Sequence, residues 1–129
     1  MVPWINDYIG IPYKIGGRDR SGCDCWGLAC LILKERYGAD IDKYVYTDLD
    51  AGYKLIKKEK AHFEKIDSEP IHGDLVLFKI MGKFYHVGVV VGEPDERNML
   101  HTLINHDSAL DRYNGPKWAS RIEGVYRVI

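Results

Sequence analysis

Apolar and polar positions change rhythm once along this chain, near residue 70. Before that point they follow helical spacing. Trp26-Gly27-Leu28-Ala29-Cys30-Leu31-Ile32-Leu33 runs into Lys34-Glu35-Arg36-Tyr37 and then Gly38. An apolar stretch of this length, closed by a glycine, predicts a mostly buried helix over 24–37. Asp24 stands where an N-cap side chain would accept the first free backbone N–H groups. A second helix is predicted over about 49–65, with Leu55, Ile56 and Phe63 inward and lysines outward. Pro3–Ile9 predicts a short helix stopped by Gly10 and Pro12. Residues 13–22, with Gly16-Gly17 and Ser21-Gly22, predict a loop.

After Pro70 the period shortens. Asp74–Lys79 and Tyr85–Val91 carry apolar residues on both faces, as strands covered on two sides do. Gly92-Glu93-Pro94-Asp95 predicts a turn and Asn98–Ile104 a returning strand; Asp107–Tyr113 and Ile122–Ile129 predict two more. Trp118–Ser120 predicts a turn of helix. Helices first and strands after predict an α+β fold, N-terminal helices packed on a C-terminal antiparallel β-sheet. With 129 residues, one domain is expected over 1–129.

Charge removes one class of partner. Eighteen basic and 19 acidic residues leave a formal net charge of −1, which offers no field for a nucleic-acid backbone. Lys54, Lys57, Lys58 and Lys60 are expected on the wet side of the second helix. No apolar run reaches the ~18 residues of a membrane span. Met1-Val2-Pro3-Trp4 lacks the basic-then-apolar order of a secretory signal, so delivery outside the cell is expected to use another route.

The three cysteines, Cys23, Cys25 and Cys30, are odd in number and tightly grouped, a poor disulfide framework. No second cysteine pair completes a zinc site. Cys30 falls mid-helix among Leu and Ile and reads as a core thiol; Cys23 in the loop stays ambiguous. Cys25 differs, because it follows the cap and opens the helix. There the helix dipole and a nearby imidazolium are expected to lower its pKa, and backbone N–H groups would face a developing oxyanion.

His86 opens Val87-Gly88-Val89-Val90-Val91, a support rigid enough for a general base. His101 lies across the Gly92–Asp95 turn. If the two strands pair antiparallel and facing residue numbers sum to an odd value, the two histidines share a face. His101 would then orient the ring of His86. The weaker alternative is a zinc site of His86, His101 and His106 with one open position.

Four segments in order carry a resemblance: Gly10-Ile11-Pro12-Tyr13 with Gly16-Gly17, Asp24-Cys25-Trp26-Gly27-Leu28, Gly73-Asp74-Leu75-Val76-Leu77-Phe78, and His86-Val87-Gly88-Val89. Together they resemble the NlpC-type cell-wall cysteine peptidases, which have a compact papain-like fold. The resemblance runs from about residue 8 to the C-terminus. It implies Cys25 as nucleophile, His86 as base and His101 as orienting residue. It also implies Tyr13 near the thiol, assisting substrate or oxyanion, and Asp24 facing a substrate amine as well as capping the helix.

The implied reaction is hydrolysis of a D-glutamyl–diamino acid amide in peptidoglycan stem peptides, with no metal or organic cofactor. Arg18 or Arg20 would pair with stem-peptide carboxylates, or else remain solvated loop charges. Trp26 stands where many members have serine. That form, with Arg121-Ile122-Glu123-Gly124-Val125-Tyr126-Arg127, resembles the branch found in phage and prophage tail proteins. The expectation is a protein made in the bacterial cytoplasm and carried by a virion tail, among other tail proteins. The rival expectation is a non-catalytic tail-tip subunit that keeps the fold.

Overall fold

Among the described residues, six antiparallel strands form the main sheet, and its middle pair carries most of its apolar residues. The computed structural model describes residues 3–41, 49–82 and 84–128. Met1-Val2, at the chain start, and Ile129, the end of the last expected strand, lie outside the described residues. The strands are β3 (Glu64–Ile66), β4 (Leu75–Ile80), β5 (Phe84–Val91), β6 (Asn98–His101), β7 (Ala109–Arg112) and β8 (Ile122–Arg127), in the order β3-β8-β4-β5-β6-β7. Helices α1 (Cys25–Tyr37) and α2 (Leu49–Glu59) pack on β5.

Both sheet faces are covered, which explains why β4 and β5 are apolar at odd and even positions. One face joins Leu75, Leu77, Val87, Val89, Val91 and Leu100 to Trp26, Leu28 and Ile32 of α1. The other face is a smaller cluster of Val76, Phe78, Val90 and Met99, roofed by Tyr113 and Trp118. Trp118 leads into a short 3-10 helix, Ala119–Arg121.

The cap and stop of α1 follow the sequence. Asp24 has extended backbone and accepts the N–H of Gly27 at 2.8 Å; Gly38 closes the helix at φ 67°, a left-handed value that glycine adopts without strain.

Several boundaries differ from expectation: β6 stops at His101, β7 spans only Ala109–Arg112, and two further differences change the fold. The second helix stops at Glu59; Lys60–His62 is 3-10, and 64–66 becomes a strand paired with β8. The unpaired edge of β8 supplies backbone partners that continued helix would forgo. Lys60 therefore leaves the wet face, donating to Glu123 at 2.8 Å and lying 5.2 Å over the Tyr85 ring. Residues 13–22 are not all loop: β1 (Arg18–Asp19) and β2 (Gly22–Cys23) form a small hairpin, and Tyr13 bridges to Cys23.

Candidate active site

The site lies where β6 parts from β5. Val90 donates its N–H to Asp74 in front of β4, so alternate N–H groups of β5, Val89 and Val87 among them, face β6. Pairing with β6 reaches only Val89, opposite Leu100. One step earlier the N–H of Val87 has no strand to meet, and it turns to the sulfur of Cys25, as does the N–H of Trp26. The helix face of the sheet thereby gives its first residue access to the gap between two strands.

On the opposite face, at the same gap, stand the histidines. Facing residues of β5 and β6 sum to an odd number, as Val89 and Leu100 do. His86 and His101 accordingly share a face, with Nε2 of His86 2.9 Å from Nδ1 of His101. The ring of His86 stacks on Trp118 at 5.2 Å and touches Phe78 at 5.7 Å. Since Nε2 is occupied by His101, Nδ1 is the nitrogen left for a thiol. That nitrogen lies next to its own main chain, whose following peptide holds the sulfur.

The electrostatics overturn one expectation. Cys25 is 8% exposed and His86 4%. Burial, with the Asp24 carboxylate adding to it, pushes the Cys25 thiol up to about 12; the two N–H donors are too weak to reverse this. Burial, aided by His101 and Lys117, pushes His86 down to about 3. The helix dipole and imidazolium do not yield a resting thiolate. The resting site is a neutral thiol beside a neutral imidazole, which suits proton transfer coupled to attack.

Around the sulfur, Asp24 is buried. Its second carboxylate oxygen accepts the N–H of Gly16 at 2.9 Å, and Arg18 approaches at 3.8 Å. Gly27 must be glycine, because a Cβ there would meet the carbonyl oxygen of Gly17 at 1.9 Å. Tyr13 and Tyr53 are both raised above the usual phenol value, by burial first and then by Cys25 and Asp24, which marks both rings as neighbours of the thiol.

The structure does not bring Arg20 to this cluster. Arg20 pairs with Glu35 at 2.9 Å and lies 4.8 Å over the Tyr8 ring. Trp26 turns inward and stacks on Phe63 at 6.4 Å. Cys23 and Cys30 are buried, and burial raises Cys23 to about 12. His106 is exposed in the turn after β6 and does not join His86 and His101 in a metal-ligating group among the described residues. The hydrogen bond between His86 and His101 also uses nitrogens that a shared ion would need.

Four neighbours escaped the sequence reading. Tyr53 carried no motif. Asp111 faces Met99 in β7, on the face of His101, and only the β6–β7 register reveals it. Trp118 and Lys117 return to the histidines from an irregular segment whose path no periodicity encodes.

A cysteine opening a helix and a histidine pair on the adjoining sheet, meeting at one strand gap of this α+β frame, define a papain-like domain. Comparison with known proteins narrows the class. The NlpC/P60 family model matches residues 10–127, and the chain belongs to that family. Murein DD-endopeptidase MepS/Murein LD-carboxypeptidase of Escherichia coli (strain K12) is 25% identical over 123 residues, covering 95% of this chain and 58% of that protein. Protein P54 of Enterococcus faecium is 34% identical over 86 residues, 66% of this chain and 14% of P54. The chain thus spans little more than half of the first relative. Among solved structures, the NlpC/p60 domain of peptidoglycan hydrolase SagA matches with TM-score 0.66 at 21% identity, covering 98% of this chain and 95% of that one, a likeness of fold.

Proposed function

We propose that this protein is a cysteine peptidase of bacterial cell-wall peptides, with Cys25 as nucleophile, His86 as base and His101 as orienting residue. The observation that carries the reading is the sulfur of Cys25 held at the Val87 N–H, in the strand gap beside a hydrogen-bonded histidine pair. Endopeptidase names among the relatives support the same class of substrate.

In this reading the thiol attacks the amide carbonyl while Nδ1 of His86 takes its proton, so that sulfur–carbon bond formation and proton loss proceed together. The N–H of Cys25, first in α1, meets the tetrahedral oxyanion, since those of Trp26, Gly27 and Leu28 already serve the sulfur and Asp24. The carbon–nitrogen bond then breaks as His86 returns the proton to the leaving amine. Water, deprotonated by His86, cleaves the thioester; the acid product leaves, and the proton goes back to sulfur. In the same reading Tyr13 and Asp24 line the approach, and Arg18, 3.8 Å from Asp24, is the basic residue proposed to meet a stem-peptide carboxylate.

The proposed bond is D-glutamyl–diamino acid in the stem peptide. The E. coli relative bears the name of a DD-endopeptidase and LD-carboxypeptidase, so the bond is the point to test. Digestion of defined muropeptides, with mass analysis of the fragments, separates these outcomes. Cys25→Ala is expected to abolish cleavage with the fold intact, and Cys30→Ala to leave it largely unchanged; an active Cys25→Ala protein refutes the mechanism.

Carriage in a phage virion tail is part of the proposal, supported by the Cys25-Trp26-Gly27 form. Detection of the chain in purified virions tests it. The alternative of a non-catalytic tail-tip subunit draws on the buried, high-pKa thiol. It predicts intact muropeptides after prolonged incubation.

A further inference from the structure

A base at His86 requires one tautomer, with hydrogen on Nε2 and the lone pair on Nδ1 toward Cys25. The 2.9 Å bond between His86 and His101 does not select it, because either ring nitrogen of that bond can be the donor. We propose that Asp111 is the positioning residue that sets the direction of this bond, an inference that rests on the cysteine peptidase reading.

Oδ2 of Asp111 lies 3.5 Å from Nε2 of His101, the nitrogen turned away from His86. A carboxylate only accepts, so it favours hydrogen on that nitrogen. The neutral His101 ring then presents a lone pair at Nδ1 and must accept from Nε2–H of His86. Nδ1 of His86 is left as a lone pair. The charge at one end of the chain dictates a free base at the other.

The carboxylate is itself held in place. Oδ2 accepts the indole N–H of Trp118 at 3.0 Å, and Oδ1 accepts the main-chain N–H of Arg112 at 2.9 Å. The same indole stacks on His86 and stands edge-on to His101, both at 5.2 Å, so one side chain fixes the ring and the acceptor together. Lys117 is the other charge facing the pair. It opposes protonation of both rings and so keeps the choice between neutral tautomers. Asp111 is 45% exposed, and solvent screens its charge. Screening leaves untouched the property that selects the tautomer, that a carboxylate cannot donate.

Asp111→Asn tests this with little change of shape. One amide oxygen cannot serve Arg112, Trp118 and His101 at once, and the charge is gone. If the productive tautomer falls to about one molecule in ten, kcat on a defined muropeptide falls about tenfold with KM within about twofold. Long-range 1H–15N spectra should show both rings passing from one Nε2–H form to a mixture. Asp111→Glu, which restores the carboxylate, should move both readouts back. Unchanged tautomers in Asp111→Asn overturn the proposal, including the case in which kcat falls with melting temperature and Asp111 is merely structural. The spectra need no substrate, so they decide the tautomer question on their own. Failure of the peptidase reading would show separately, as wild-type protein that cleaves nothing.

Discussion

His86→Gln tests the neutral resting pair through stability rather than catalysis. In the folded protein His86 is pushed down to about 3 from an ordinary value of 6.5. Between those values the unfolded chain binds a proton that the folded one refuses. Stability from this residue is therefore full above pH 6.5 and is lost as pH falls toward 3. At pH 5 the unfolded histidine lies 1.5 units below its pKa, and at about 1.4 kcal/mol per unit the loss is about 2 kcal/mol. The figure depends little on the folded value, provided that value stays below about 4. For a domain of this size, about 4 °C of melting temperature per kcal/mol gives about 8 °C. The assay is thermal unfolding of wild type and His86→Gln at pH 7 and pH 5. His86→Gln will be less stable at both, having lost the stack on Trp118 and Phe78. The quantity to read is the difference between the two pH-induced drops, in which titrations common to both proteins cancel. Wild type should lose about 8 °C more than the variant. Equal drops would mean that His86 is readily protonated in the folded state, and the coupled-transfer mechanism would lose its basis.

Asp24→Asn keeps an N-cap acceptor for Gly27 but removes the charge that helps raise the thiol. Iodoacetamide should alkylate Cys25 faster at pH 8 in the variant than in wild type; an equal or slower rate counts against the role of Asp24. The same change leaves the N–H of Gly16 without its acceptor, a loss of about 1 kcal/mol readable by urea denaturation. Gly27→Ala should invert the usual helix preference. Alanine ordinarily gains about 1 kcal/mol in a helix. Here its Cβ would strike the Gly17 carbonyl, and urea denaturation should show a net loss of about 1–3 kcal/mol. A variant as stable as wild type would mean that the Gly16–Arg18 segment yields freely.

Much of this molecule is legible in the chain because its causes are local. An aspartate before a long apolar run, with a glycine after it, determines where α1 begins and ends, since capping and left-handed backbone are properties of single residues and their neighbours. Apolar residues on both faces identify β4 and β5, and a turn between β5 and β6 makes the shared face of His86 and His101 a matter of parity. Tertiary structure alone decided the rest. The second helix ended early because a distant strand edge offered backbone partners to 64–66. The thiol rose, although its helix position argues for a lowered value, because desolvation depends on what closes over a group, and that is assembled from α1, α2 and β5. Asp111 and Trp118 reach the histidines through strand register and an irregular return of the chain. No periodicity records such a path, because the energy that selects it comes from contacts made after the sheet has formed.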